Sequence, residues 1–147
     1  MERVADVLRA KFPQFNTIGP DRSIHDALHQ MHCENVDHLI VLDDDRFVGL
    51  LTEHGITEKI IYRSRDLDTA TVREFMTTYL PVSTVDDSLE QCMQLMERHN
   101  TRFIAVFDRF DFKGVVSSHD LMKQALHKRK ATFDERIEEN KCYPWNY

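Results

Sequence analysis

A gap-free internal repeat is the strongest constraint on what this chain can fold into. At a spacing of 65 residues, Gly49 falls on Gly114, Asp21 on Asp86, Ser23 on Ser88, Met31 on Met96 and Asn35 on Asn100. The same register superposes Val41 on Val106, Asp43 on Asp108, Phe47 on Phe112 and His54 on His119. Apolar character is kept at Ile24/Leu89, Leu28/Met93, Leu39/Ile104, Leu50/Val115 and Leu51/Val116. Such regularity marks a duplicated supersecondary unit. The 147 residues therefore divide into two similar halves, 1–65 and 66–130, followed by a tail over 131–147.

Each half has the same local grammar. Ser23 and Ser88 follow aspartates and precede apolar-periodic runs, as helix N-caps do. The first helix carries Ile24, Ala27, Leu28 and Met31 on one stripe, and the second Leu89, Cys92, Met93 and Met96. HLIVL (38–42) and RFIAVF (102–107) are nearly continuous apolar runs, the pattern of strands covered on both faces. The polar turns DDDR and DRFD lead to second strands, RFVGLL and FKGVV, and helices follow over about 53–62 and 118–130. The fold class predicted is α/β (α+β), with two tandem β-α-β-β-α units. RSRDLDTAT (63–71) is a polar linker, and VREFM (72–76) a short helix whose counterpart in the first unit is VADVL. One unit cannot bury both faces of its short sheet, so the two must pack together. The boundary between them is then the natural place for a small-molecule cleft.

Composition excludes several function classes. A net charge of −6 argues against a nucleic-acid surface, since HKRK (127–130) runs directly into the acidic DERIEE. The charged N-terminus lacks the apolar core of a signal peptide, and no window approaches a membrane span. Three cysteines, Cys33, Cys92 and Cys142, leave an odd count without close pairing, which fits a reducing, cytoplasmic setting.

The stretch GVVSSHDLM (114–122) carries the chemistry. Ser117, Ser118, His119 and Asp120 invite comparison with a hydrolytic triad, but neighbours at a helix start project about 100° apart and cannot form a relay. The plain reading is an N-cap: a serine accepting backbone N–H groups, with Asp120 at the favourable end of the dipole. The functional reading adds a ligand. Free N–H groups at a helix start attract phosphate, His119 adds charge, and a carboxylate can accept from a ribose diol. Its echo GLLTEHGIT (49–57) has Thr52 in place of Ser117 but Gly55 in place of Asp120. That position has no carboxylate, so the first-unit site is empty, suited to another ligand, or structural.

The duplicated unit, with GVVSSHDL at its end and VREFMTT before the second copy, resembles the cystathionine β-synthase (CBS) domain, and two in tandem resemble a Bateman module. The likeness covers roughly residues 4–125, and Gly114, Ser117 and Asp120 fit the family's motif. The resemblance implies a non-catalytic regulatory module that binds an adenosine-containing nucleotide such as AMP, ADP or ATP, with no obligatory cofactor. It implies that Asp120 holds the ribose, that Ser117 and His119 lie at the phosphate, and that Thr77, Thr78, Tyr79, Leu80 and Pro81 enclose the adenine with Ile104 and Ala105. Thr52, His54 and Ile18 would mark the second, incomplete site. A homodimer and a regulated protein partner acting in trans follow by the same likeness. The competing expectation is a ligand-free interaction or dimerisation scaffold, which Gly55 favours and Asp120 opposes.

Other features carry plainer readings. His25, His29 and His32 recur at helical spacing beside Cys33, but without a HExxH or CxxC pattern they read as a solvated helix face, and no metal site is expected. Met31, Met93 and Met96 are expected in the core, and Cys92 is expected to be buried and inert. The tail NKCYPWNY is expected to dock on its own domain or a dimer partner.

Overall fold

The apolar runs become the central strands of two sheets with the same topology. The computed structural model of the protein describes residues 2–11 and 16–126. In chain order these form α1 (Val4–Lys11), β1 (Thr17–Ile18), α2 (Ile24–Glu34), β2 (His38–Asp43), β3 (Arg46–Thr52), α3 (Glu53–Arg63), α4 (Val72–Phe75), β4 (Val82–Thr84), α5 (Leu89–His99), β5 (Phe103–Asp108) and β6 (Asp111–Ser117). A last helix, α6, runs over 118–126. The sheets are ordered β1-β2-β3 and β4-β5-β6, each with one parallel and one antiparallel pair. The tandem β-α-β-β-α pattern is thus realised. The predicted end of the last helix, the aromatic tail and Cys142 lie outside the described residues.

The repeated polar residues sit where the backbone needs them. Ser23 and Ser88 cap α2 and α5, accepting from Asp26 N at 3.0 Å and Gln91 N at 3.1 Å. Asn35 and Asn100 close those helices in the left-handed conformation, with φ of 53° and 49°. Asparagine tolerates that region better than most residues, which explains the pairing of these two positions in the repeat. His25, His29, His32 and Cys33 are exposed on α2. Met31 and Met96 are buried, as expected, whereas Met93 is 46% exposed. Met93 follows Cys92 by one residue, so about 100° of helical rotation carries it off the stripe.

The short helices preceding each unit cross over to the other one. Val4 and Val7 of α1 are buried with Leu89, Cys92, Met96, Ile104 and Val106, in the core of the second unit. Val72 and Phe75 of α4 are buried with Ile24, Leu39, Val41 and Leu51, in the core of the first. The repeated glycines make these approaches possible. A Cβ on Gly49 would lie 2.8 Å from Thr77 O, and one on Gly114 would lie 3.1 Å from Leu8 Cδ2. A third cluster joins the units face to face: Ile40, Leu50, Phe103 and Val115, flanked by Leu42, Phe47, Leu80 and Phe112. Phe47 stacks on Phe112 with centroids 4.3 Å apart, so the repeat-related phenylalanines meet each other.

Candidate functional site

The start of α6 and the edge of β2 face a common cleft between the units. Ser117 is the N-cap of α6: its Oγ accepts from Asp120 N at 3.1 Å. Asp120 returns the bond, its Oδ2 accepting from Ser117 N at 2.8 Å. This reciprocal box satisfies two donors that a helix start leaves without intrahelical partners. The plain reading of SSHD as a cap is therefore correct, with Ser117 rather than Ser118 as the capping residue.

The crossover of α1 adds a partner from the far end of the chain. Lys11, in the last turn of α1, donates to Asp120 Oδ2 at 2.8 Å and to Val115 O at 2.7 Å. Both side chains are largely buried, at 18% and 15% exposure. Burial pushes the Asp120 carboxyl upward, but Lys11 and the bonds from Ser117 outweigh it and hold the carboxyl below its usual value. Oδ2 thus serves two donors, while Oδ1 accepts from no described residue.

The opposite wall comes from the turn before β2. His38 is 7% exposed and lines the cleft with Asn35, Asp37 and Glu53. Its Nδ1 lies 2.8 Å from Asp37 Oδ1, and its ring lies 5.0 Å from that of Phe103, centroid to centroid. Asn16 Nδ2 donates to His38 O at 3.0 Å and fixes the strand edge. Burial lowers the imidazole's affinity for a proton, against the opposing pull of Asp37. Its Nε2 is buried without a hydrogen-bond partner among the described residues. The cleft encloses about 570 Å³, with Ser117, His119, Asp120, Lys123 and Arg102 on its second-unit side. A smaller space of about 270 Å³, lined by Thr52, His54 and Thr57, shares Asp37, Glu53, Arg102 and Phe103 with it.

The fold separates residues that the sequence reading grouped. Ser117, His119 and Asp120 come together, but Thr77, Thr78 and Tyr79 do not join them. They line a different space of about 390 Å³ with Thr52, Gly55, Glu58 and Lys59. The cause is the α4 crossover: Thr77 N donates to Leu50 O at 2.8 Å, pinning the segment to the first unit's sheet. Leu80 packs in the inter-unit cluster, and Pro81 is buried with its carbonyl accepting from Ala105 N at 3.0 Å. Ile104 and Ile18 are core residues of the second and first units, on the helix-covered faces. Ala105 is buried between its strand partners Val82 and Val115. Sequence reasoning did not find Lys11, Asp37 or His38. The signal was there: at the 65-residue spacing His38 answers to Phe103 and Lys11 to Met76, charged or titratable groups opposite apolar ones.

Elsewhere the polar groups are spent on structure. Cys92 is fully buried, with its thiol pushed up by desolvation, and Ser83 Oγ lies 3.3 Å from its Sγ. Among the described residues no cluster of three or more His, Cys, Asp or Glu could hold a metal. None of their helices is long and apolar enough to cross a membrane.

A duplicated β-α-β-β-α unit with its leading helix exchanged, and a cleft between the copies, defines a paired regulatory fold. The chain belongs to the CBS domain family, whose model matches residues 4–62 and 72–127. It is 30% identical over 118 residues to the CBS domain-containing protein YhcV of Bacillus subtilis, covering 80% of this chain and 84% of that one. A crystal structure of the CBS domain NE2398 superposes with a TM-score of 0.77 at 30% identity, covering 85% and 98% of the two chains. The structure of CBSX2 in complex with AMP shares the fold, with a TM-score of 0.69 at 22% identity over 88% of this chain and 99% of that one. As a tandem CBS pair the chain is a regulatory module.

Proposed function

We propose that the protein is a nucleotide sensor that binds an adenosine phosphate in the inter-unit cleft and acts on a partner protein in trans. The observation that carries this reading is a cleft of about 570 Å³ that places Ser117, His119 and Asp120 of one unit opposite His38 of the other. That volume lies within the range of small-molecule sites. Asp120 Oδ1 is available for a ribose hydroxyl, and the start of α6 with Ser117 and His119 suits a phosphate. The AMP bound to CBSX2 supports the ligand class. A ligand touching both units favours one relative packing over others, which is the change a partner can read. Ile61 and Tyr62 on α3 and Met122 on α6 are apolar and 70%, 81% and 57% exposed, which supports a homodimer.

Thermal shift with AMP, ADP, ATP, NAD and S-adenosylmethionine tests the reading. A ligand at a hundred times its Kd stabilises by about 2.7 kcal/mol, a shift of several degrees in Tm for a chain of this size. No shift with any of the five turns the assignment to the ligand-free scaffold. Light scattering on the same samples should give twice the mass of one 17.4 kDa chain; a single-chain mass removes the dimer.

A further inference from the structure

We propose that His38 is the residue of the cleft that reads an anionic, phosphate-bearing ligand, and that it does so as the imidazolium, so that ligand uptake carries a proton with it. This rests on the cleft being the ligand site but goes beyond it, since no sequence motif includes His38.

The geometry is specific. An ionised aspartate can only accept, so the 2.8 Å contact with Asp37 Oδ1 places the Nδ1 proton between them. In the neutral ring Nε2 is then an acceptor, and it is buried without a partner among the described residues, in a side chain that lines the cleft. A buried polar atom left unpaired costs free energy, and a bound group that pairs with it removes that cost. The oxygens of a phosphate dianion have only lone pairs to offer, so they pair with Nε2 only when that nitrogen carries a proton. Asp37 stabilises the resulting imidazolium, as carboxylates do for histidines that must charge. Phe103, on the other side of the ring, supplies no competing donor or acceptor.

The surrounding charges set the direction. Burial and the Lys11 cation disfavour the imidazolium, while Asp37 and Asp120 favour it, and the balance lowers the ring's proton affinity in the free protein. Glu34, Glu53, Arg102, His119 and Lys123 complete the ionisable lining of the cleft. A phosphate dianion entering it offsets Lys11 and raises the histidine's proton affinity. Binding therefore takes up a proton at pH values above the free titration range and below the bound one, and affinity for the anion rises as pH falls between them. At a position where the repeat places Phe103 in the other unit, the same ligand has no such group to charge.

The experiment is a pH titration of the His38 imidazole by NMR, with the resonance assigned by its loss in His38→Phe. It is run on the free protein, with inorganic phosphate, and with AMP. The expected result is an upward shift of about one pH unit or more with AMP, equivalent to at least about tenfold tighter binding by the imidazolium form. His38→Phe should weaken AMP about tenfold at pH 6.5 and leave adenosine, which lacks the phosphate, unchanged. A shift with phosphate alone and none with AMP retains the anion-reading role and removes the nucleotide reading of the cleft. No shift with either anion overturns the proposal, as does an AMP-bound protein whose affinity has the same pH profile in His38→Phe.

Discussion

The two copies of one helix start hold different chemistry. In the second unit Ser117, Asp120 and Lys11 form a largely buried box with a cation against it. In the first, the same three positions are Thr52, Gly55 and Met76. Thr52 still caps its helix, accepting from Gly55 N at 2.9 Å, so the cap does not depend on the carboxylate. Lysine and aspartate are absent together, their places taken by a thioether and a hydrogen atom. The difference teaches that the charged pair is a unit added to a common scaffold, and that folding alone does not require it.

The largest expected effect separates the cap from the ligand. Asp120→Asn keeps the shape of the box but removes the charge, and it should weaken AMP by about ten- to a hundredfold, the loss of one charged hydrogen bond or a little more. Calorimetry reads this directly, and an unchanged Kd with the fold intact would remove Asp120 from the ribose.

Lys11→Met imports the first unit's solution and should cost about 1–2 kcal/mol at neutral pH, since it leaves a largely buried carboxylate without its cation. Here the sign is definite. Asp120 is held below its usual 3.8, so its contribution to stability is present above that value and lost as pH falls through the folded range. The variant should therefore show a shallower fall in Tm between about pH 4.5 and 3. A slope identical to wild type would mean that Lys11 does not hold the carboxyl down.

The smallest effect is on the other side. A Cβ at Gly55 would lie 2.9 Å from Thr52 Oγ1, a contact that a slight turn of the threonine relieves. Gly55→Asp also gains helix propensity, so stability should change by less than about 1 kcal/mol. The new carboxylate should create a second, weaker AMP equivalent. A stoichiometry still at one site would mean that the missing carboxylate is not what closes the first unit.

The sequence made much of this visible, and the reason is periodicity. The repeat, the paired caps Ser23 and Ser88 and the strand hairpins are all local signals, and each lies where it was read. What it did not show is which half each leading helix packs on. That choice is made by burial of Val4, Val7, Val72 and Phe75 in the opposite core, a contact between distant parts of the chain. The placing of Thr77 to Tyr79 follows from it: they were read with the helix start of their own unit, and α4 carries them to the other. Lys11 is 109 residues from Asp120, a separation at which no spacing rule operates. His38 looked like one more residue of a buried strand, and only its mismatch with Phe103 distinguished it.

The exchanged helices make the two halves mutual hostages. A cut within residues 64–69 would yield two fragments, each holding a piece of its counterpart's interior and missing a piece of its own. Neither should fold alone, yet the pair should reassemble on mixing, so the linker is a natural place to split the protein into a complementation reporter whose recovery registers the ligand.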